Sequence, residues 1–201
     1  AIKLAEQIGD TRTTTKAVIT LGKVHWLRGD QRRALVVLTQ GLDMAHKCGD
    51  RYQEVRAMVY LSLAQLEADQ SPGQALERAR AATELAQAIP MPVGTSHGLA
   101  AQALALAQLG RADEAADLSA RAAAYQTEQT RPENPEFVLH VHATLCLAAG
   151  RRERAAQAIA QAQREVDRKA ERIRNSDLRG LYLASKVPRA VRQLGTELGP
   201  A

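Results

Sequence analysis

Four times along this chain a helix-period stretch closes on a small or turn-forming residue and is followed by an alanine-led stretch: Gly29 with Ala34, Asp69 with Ala75, Gly110 with Ala115, and Gly150 with Ala155. The spacing is about 40 residues, a period at which helical hydrophobicity signals stacked helix-turn-helix units that bury their apolar faces against one another. A chain of this kind grows as a linear array rather than around one central core, and such arrays serve mainly as surfaces for holding other molecules. The 201 residues are therefore expected to form one elongated, all-α domain.

Composition refines that expectation. Hydrophobic residues make up 45% of the chain, but much of that share is alanine, and aromatics reach only 3%. Small side chains let helices approach backbone to backbone in place of a thick core. No run alternates as a strand does, and the seven prolines and thirteen glycines cluster at the ends of periodic stretches. Cys48 and Cys146 sit in different repeats, so they read as small apolar residues with free thiols, which suits a reducing compartment. No apolar run of about 18 residues appears and no charged-then-apolar leader opens the chain, so no membrane role is expected and the location read is cytoplasmic.

The punctuation divides the chain into units. Residues 1–9, with Ile2, Leu4, Ala5 and Ile8 at helical spacing, read as the second helix of a preceding repeat, as though the chain were cut from something longer. Repeats follow at 10–49, 50–90, 93–128 and 134–174, and a tail at 175–201. Gly-Asp pairs at 9–10, 29–30 and 49–50 mark helix boundaries: glycine takes the left-handed conformation that ends one helix, and aspartate accepts from the free amides of the next. Ser71-Pro72 starts the second helix of the second unit, Thr95 or Ser96 is expected to cap the third unit, and Thr127 to Pro135 reads as a linker. The tail is expected to cover the apolar face of Ala155, Ile159, Ala162 and Val166 in the last unit.

These residues resemble the tetratricopeptide repeat (TPR). Leu21-Gly22, Gly29, Ala34 and Leu38 match its pattern well; Leu61-Ser62 and Ala75, then Ala103, Gly110 and Ala115, then Ala143, Gly150 and Ala155 match it in part. The long period and the Gly-Asp punctuation are similar to the variant in large bacterial signalling proteins, where such arrays follow a kinase, nucleotide-cyclase or ATPase region. Asp177-Leu178-Arg179, Tyr182-Leu183 and Val187-Pro188 resemble the motif that closes those arrays, with Ser176 in place of its proline, Tyr182 in place of its phenylalanine and one extra residue before Val187. The resemblance implies a right-handed α-α superhelix with a C-terminal cap, and a non-enzymatic module that binds a protein or peptide in its concave groove. It also implies the groove residues: Lys16, Lys23 and Trp26 from the first unit, Arg56 and Leu63 from the second, His97 from the third, and His140 with Thr144 from the fourth. That cationic lining suits an acidic or carboxylate-ending peptide. Trp26 is either an anchor for the partner or a plug between units.

Chemistry is not indicated. No Gly-x-x-x-x-Gly-Lys, His-Glu-x-x-His, Cys-x-x-Cys or Gly-x-Ser-x-Gly motif occurs, so no enzyme and no cofactor are expected. His140 and His142 lie about 200° apart on a helix, which argues against a shared metal. Residues 151–192 carry twelve Lys or Arg against five acids, the one segment that suggests nucleic acid. Aromatics for stacking are scarce there, however, and Glu165 with Lys169 and Asp167 with Glu171 and Arg172 read as a solvated face, so nucleic-acid binding stays the alternative. Self-assembly through an uncovered edge at Ile2, Leu4 and Ile8 is a further one.

Overall fold

The computed structural model describes residues 9–68, 71–125 and 133–199. The expected helix over 2–8, with its uncovered edge, lies outside them, as do most of the expected linker and part of the turn before Ser71. Ten helices run through the described residues: α1 (Thr11–Leu27), α2 (Gln31–Lys47), α3 (Arg51–Glu67), α4 (Pro72–Ala88), α5 (Pro92–Gln108), α6 (Ala112–Ala124), α7 (Pro135–Ala148), α8 (Arg152–Arg172), α9 (Ser176–Ala184) and α10 (Lys186–Leu198). No strand occurs among them.

The boundaries are set locally. Gly9, Gly29 and Gly49 take φ of 69°, 78° and 64°, the left-handed region that ends a helix. The carboxylates of Asp10, Asp30 and Asp50 then accept from the backbone N–H of Thr13, Arg33 and Gln53, three residues into the next helix. Asn175 caps α9 in the same way, through the N–H of Leu178, whereas α4, α5 and α7 have proline in the first turn and no side-chain cap. Thr95 and Ser96 do not cap α5, which starts earlier, at Pro92. Proline suits a first turn because its missing N–H would have no acceptor there, and this leaves Ser96 inside the helix, donating to the Ala122 carbonyl of α6 at 3.0 Å. In the same way α7 opens at Pro135.

Successive helices pack against one another, and α1 also touches α3, α3 touches α5 and α5 touches α7. No comparably extensive contact joins α2 to α4 or α4 to α6. The first helices of the hairpins therefore form one continuous inner layer and the second helices flank it. Contacts within hairpins are close: a Cβ on Gly22 of α1 would lie 2.6 Å from Leu38 Cγ of α2. The main cluster of buried residues extends from Ile19 and Leu38 through Val55 and Leu63 to Val138 and Leu145. A second joins Leu139 of α7 and Ile159, Ala162 and Val166 of α8 to Val191 and Leu194 of α10, so the tail covers the last hairpin.

Candidate functional site

The tail goes further than a cap. Its last helix begins on the inner layer, where Lys186, Val187 and Ala190 lie against residues of α1, α3, α5 and α7. Two adjoining cavities border it, of about 210 Å³ and about 200 Å³, and both are lined by Trp26, Phe137 and Val187. The chain has one Trp, four Tyr and one Phe, and four of these six, Trp26, Tyr60, Phe137 and Tyr182, line the first cavity. The Trp26 ring lies 5.7 Å from Tyr60 and 5.7 Å, edge-on, from Phe137, and His97 lies 5.8 Å from Phe137. Scarce aromatics gathered on one wall give that wall most of the contact area available for an apolar ligand.

Charges are arranged around this cluster. Lys23 Nζ sits 5.2 Å from the centre of the Tyr60 ring. His97 is buried, and its pKa falls to about 4 because burial penalises the imidazolium, with the positive charges of Lys23, Arg56 and Lys169 acting in the same direction. It is a neutral ring at pH 7, and so is no cation for a partner. Glu136, 3% exposed, accepts two hydrogen bonds of 2.8 Å from Lys169 Nζ of α8. Lys169 therefore does not pair with Glu165 on a solvated face: the buried carboxylate of α7 needs a counter-charge, and Arg168 takes Glu165 instead. The Tyr182 hydroxyl is buried without a hydrogen-bond partner, and burial with nearby carboxylates raises its pKa.

Of the residues singled out in the sequence, Lys23, Trp26 and His97 line the first cavity, and Trp26, Leu63, His140 and Thr144 line the second. Lys16 stands exposed on α1 and Arg56 half-buried on α3, outside both cavities. Trp26 is 3% exposed, with Lys186 of α10 over its ring, and Leu63 is 1% exposed. His140 and His142 face different sides: the first lines the second cavity, while His142 Nδ1 lies 2.8 Å from Ser119 Oγ of α6. Both have lowered pKa values because of burial.

Sequence reasoning missed Glu67, Glu136 and Lys186. Glu67 ends α3, and its carboxylate accepts from Trp26 Nε1 at 2.8 Å and from Gln31 Nε2 at 2.6 Å, and pairs with Lys186. Nothing in a repeat pattern marks a charged residue at a helix end as the partner of one 119 positions away. Cys146 is buried with its thiol pKa raised by burial, whereas Cys48 is only half-buried at the end of α2; both are free. Among the described residues no helix is long and apolar enough to cross a membrane.

No family model matches the chain, and no curated protein matches it. Solved structures do. A signal transduction ATPase with numerous domains (STAND) that has a tetratricopeptide repeat sensor, from Pyrococcus horikoshii, aligns with 98% of this chain at a TM-score of 0.57 and 16% identity. This chain spans 29% of that protein. The nearly identical TPR-like repeats of a Podosopora anserina protein described as a kinesin light chain align in two structures, over 91% and 92% of this chain at TM-scores of 0.55 and 0.56 and identities of 16% and 14%. This chain spans 92% and 97% of those two. The fold is thus that of a TPR-like array of helical hairpins, and at these identities the likeness is one of fold.

Proposed function

We propose that this domain is a non-enzymatic protein-protein interaction module that holds a polypeptide against the inner layer of α1, α3, α5 and α7. The observation that carries the reading is convergence: six side chains assigned from four separate repeats border two adjoining cavities on one face. Preformed apolar recesses with a few polar groups are what a recognition surface requires. Because the recesses are already present in the folded chain, the ordering entropy falls mostly on the partner. Lys23 and Arg56 add positive charge at one end and favour carboxylates in the bound segment.

The TPR sensor of the STAND protein supports a role as the partner- or signal-sensing part of a larger signalling protein, and the free thiols fit the cytoplasm. In the Arg-rich segment, Arg151 pairs with Asp117, Arg168 with Glu165 and Lys169 with Glu136, which favours the protein reading over nucleic acid. The test is affinity capture with the intact chain and with the Lys23→Glu/Arg56→Glu double variant, checked for unchanged helicity. Capture of a partner by the first and its loss by the second is expected. Equal capture by both overturns this assignment of the surface.

A further inference from the structure

The start of α10 brings together groups that form a recognisable chemical site. Trp26 presents an indole face, and Glu67 lies beside it with one oxygen accepting the indole N–H at 2.8 Å and the other accepting Gln31 Nε2 at 2.6 Å. Two neutral donors, from α1 and α2, thus aim the carboxylate before any cation arrives. A ring face next to an oriented carboxylate attracts an ammonium group twice over, through the ring quadrupole and through a charge-assisted hydrogen bond. The occupant is Lys186, whose Nζ pairs with Glu67 and stands 4.7 Å from the centre of the Trp26 ring.

This occupant's ion pair is open to solvent, and the residue after it leaves space on either side. The side chains of Lys186 and Glu67 are 31% and 30% exposed, so solvent reaches the pair and weakens it. The next residue, Val187, lies between the two cavities and fills neither, leaving about 210 Å³ and about 200 Å³ on either side. A larger apolar side chain at the same place would gain contacts that valine does not make.

We propose that Trp26 and Glu67 form a receptor for a lysine ammonium group, held in this chain by Lys186. The polypeptide partner of the inner face docks by offering its own lysine, followed by an apolar side chain larger than valine, in place of Lys186 and Val187, while Val191 and Leu194 stay on α8. This rests on the inner-face reading above and adds regulation to it: the tail competes with the partner, as a tethered ligand does at high effective concentration. It also makes the surface bipolar, with Lys23 and Arg56 at one end for carboxylates and Glu67 at the other for an ammonium.

Trp26 is the chain's sole tryptophan, so its fluorescence reports the site directly. Acrylamide quenching is measured on the intact chain, on Lys186→Ala, on Lys186→Glu and on Lys186→Arg, with circular dichroism confirming helicity. Quenching is expected to rise about two-fold in Lys186→Ala and Lys186→Glu, which lose both the ring contact and the ion pair, and to stay near the native value in Lys186→Arg, which keeps a cation for both. A labelled peptide of residues 181–195 is then titrated into Lys186→Ala. It is expected to bind about tenfold more tightly than to the native chain, where the tethered tail competes. The same peptide with Lys186→Glu should fail to bind, and with Val187→Leu it should bind more tightly than its parent. Unchanged quenching in both Lys186→Ala and Lys186→Glu overturns the tail's role, and equal binding of the lysine and glutamate peptides overturns the receptor. Should either variant misfold, the peptides titrated into the native chain, read by Trp26 emission, decide the matter. None of these results depends on a cellular partner, so the inner-face reading stands or falls separately on the capture experiment.

Discussion

Replacing Gly98 by alanine tests how closely the hairpins are packed. Gly98 lies on α5 against α4, where a new Cβ would stand 2.3 Å from Thr83 Oγ1 and 3.4 Å from Thr83 Cα. That hydroxyl already donates to the Ala79 carbonyl at 2.8 Å and accepts from Gln102 Nε2 at 2.7 Å, all within the buried crossing. Moving Thr83 aside gives up those bonds, and leaving it forces the helices apart. Overpacking costs about 1–3 kcal/mol and the weakened buried hydrogen bonds about 1–3 kcal/mol. Better helix propensity returns about 1 kcal/mol, so Gly98→Ala should destabilise by about 1–5 kcal/mol net. Gly180 of α9 is the control: a Cβ there meets nothing within 4 Å, so its alanine variant should be neutral or up to about 1 kcal/mol more stable. Urea unfolding followed by circular dichroism measures both. A Gly98→Ala protein as stable as the native one would refute the claim that the α4-α5 crossing depends on the missing side chain.

The buried pair of Glu136 and Lys169 predicts that Lys169→Met, by stranding a carboxylate 3% exposed, costs about 2–4 kcal/mol, and that adding Glu136→Gln recovers most of it in the same urea assay. A double variant no better than the single one would contradict this. For pH, the His97 pKa of about 4 lies below its unfolded value near 6.5, so the folded state binds its proton more weakly. Stability is fully present above pH 6.5, falls as the pH drops towards 4 and levels off below, with a loss on the order of 3 kcal/mol from this group. His140 and His142 act in the same direction. His97→Gln should therefore flatten the dependence of the unfolding midpoint between pH 7 and 4, and an unchanged slope would show that His97 is not the group responsible. Deleting residues 176–201 uncovers Ile159, Ala162 and Val166 and should lower the melting temperature and promote self-association; a monomer with native melting would disprove the covering role.

How far the sequence could be read depended on how local each feature is. Glycine followed by aspartate ends and restarts a helix through atoms three or four residues apart, so Gly29-Asp30 and Gly49-Asp50 were legible as boundaries, and the repeat carried the hairpin fold. Thr95 and Ser96 misled because two kinds of start signal competed, and proline at position 92 took precedence over a hydroxyl three residues later. Trp26 was legible as either anchor or plug. It is buried as a plug would be, yet the chain's own Lys186 lies on its face, a contact with no counterpart in the repeat pattern.

The sequence by itself determined the class of fold and the helix ends marked by Gly-Asp pairs, because these follow from helical period and local capping, whereas Lys23, Trp26, Leu63, His97, His140 and Thr144 were singled out through the resemblance to the tetratricopeptide repeat. Only the tertiary structure decided that Lys169 serves Glu136, that Glu67 is aimed by Trp26 and Gln31, and that the tail returns to the inner layer to meet them. Those contacts join side chains from helices far apart along the chain. They depend on how the array stacks and where its last helix comes to rest, which periodicity does not encode.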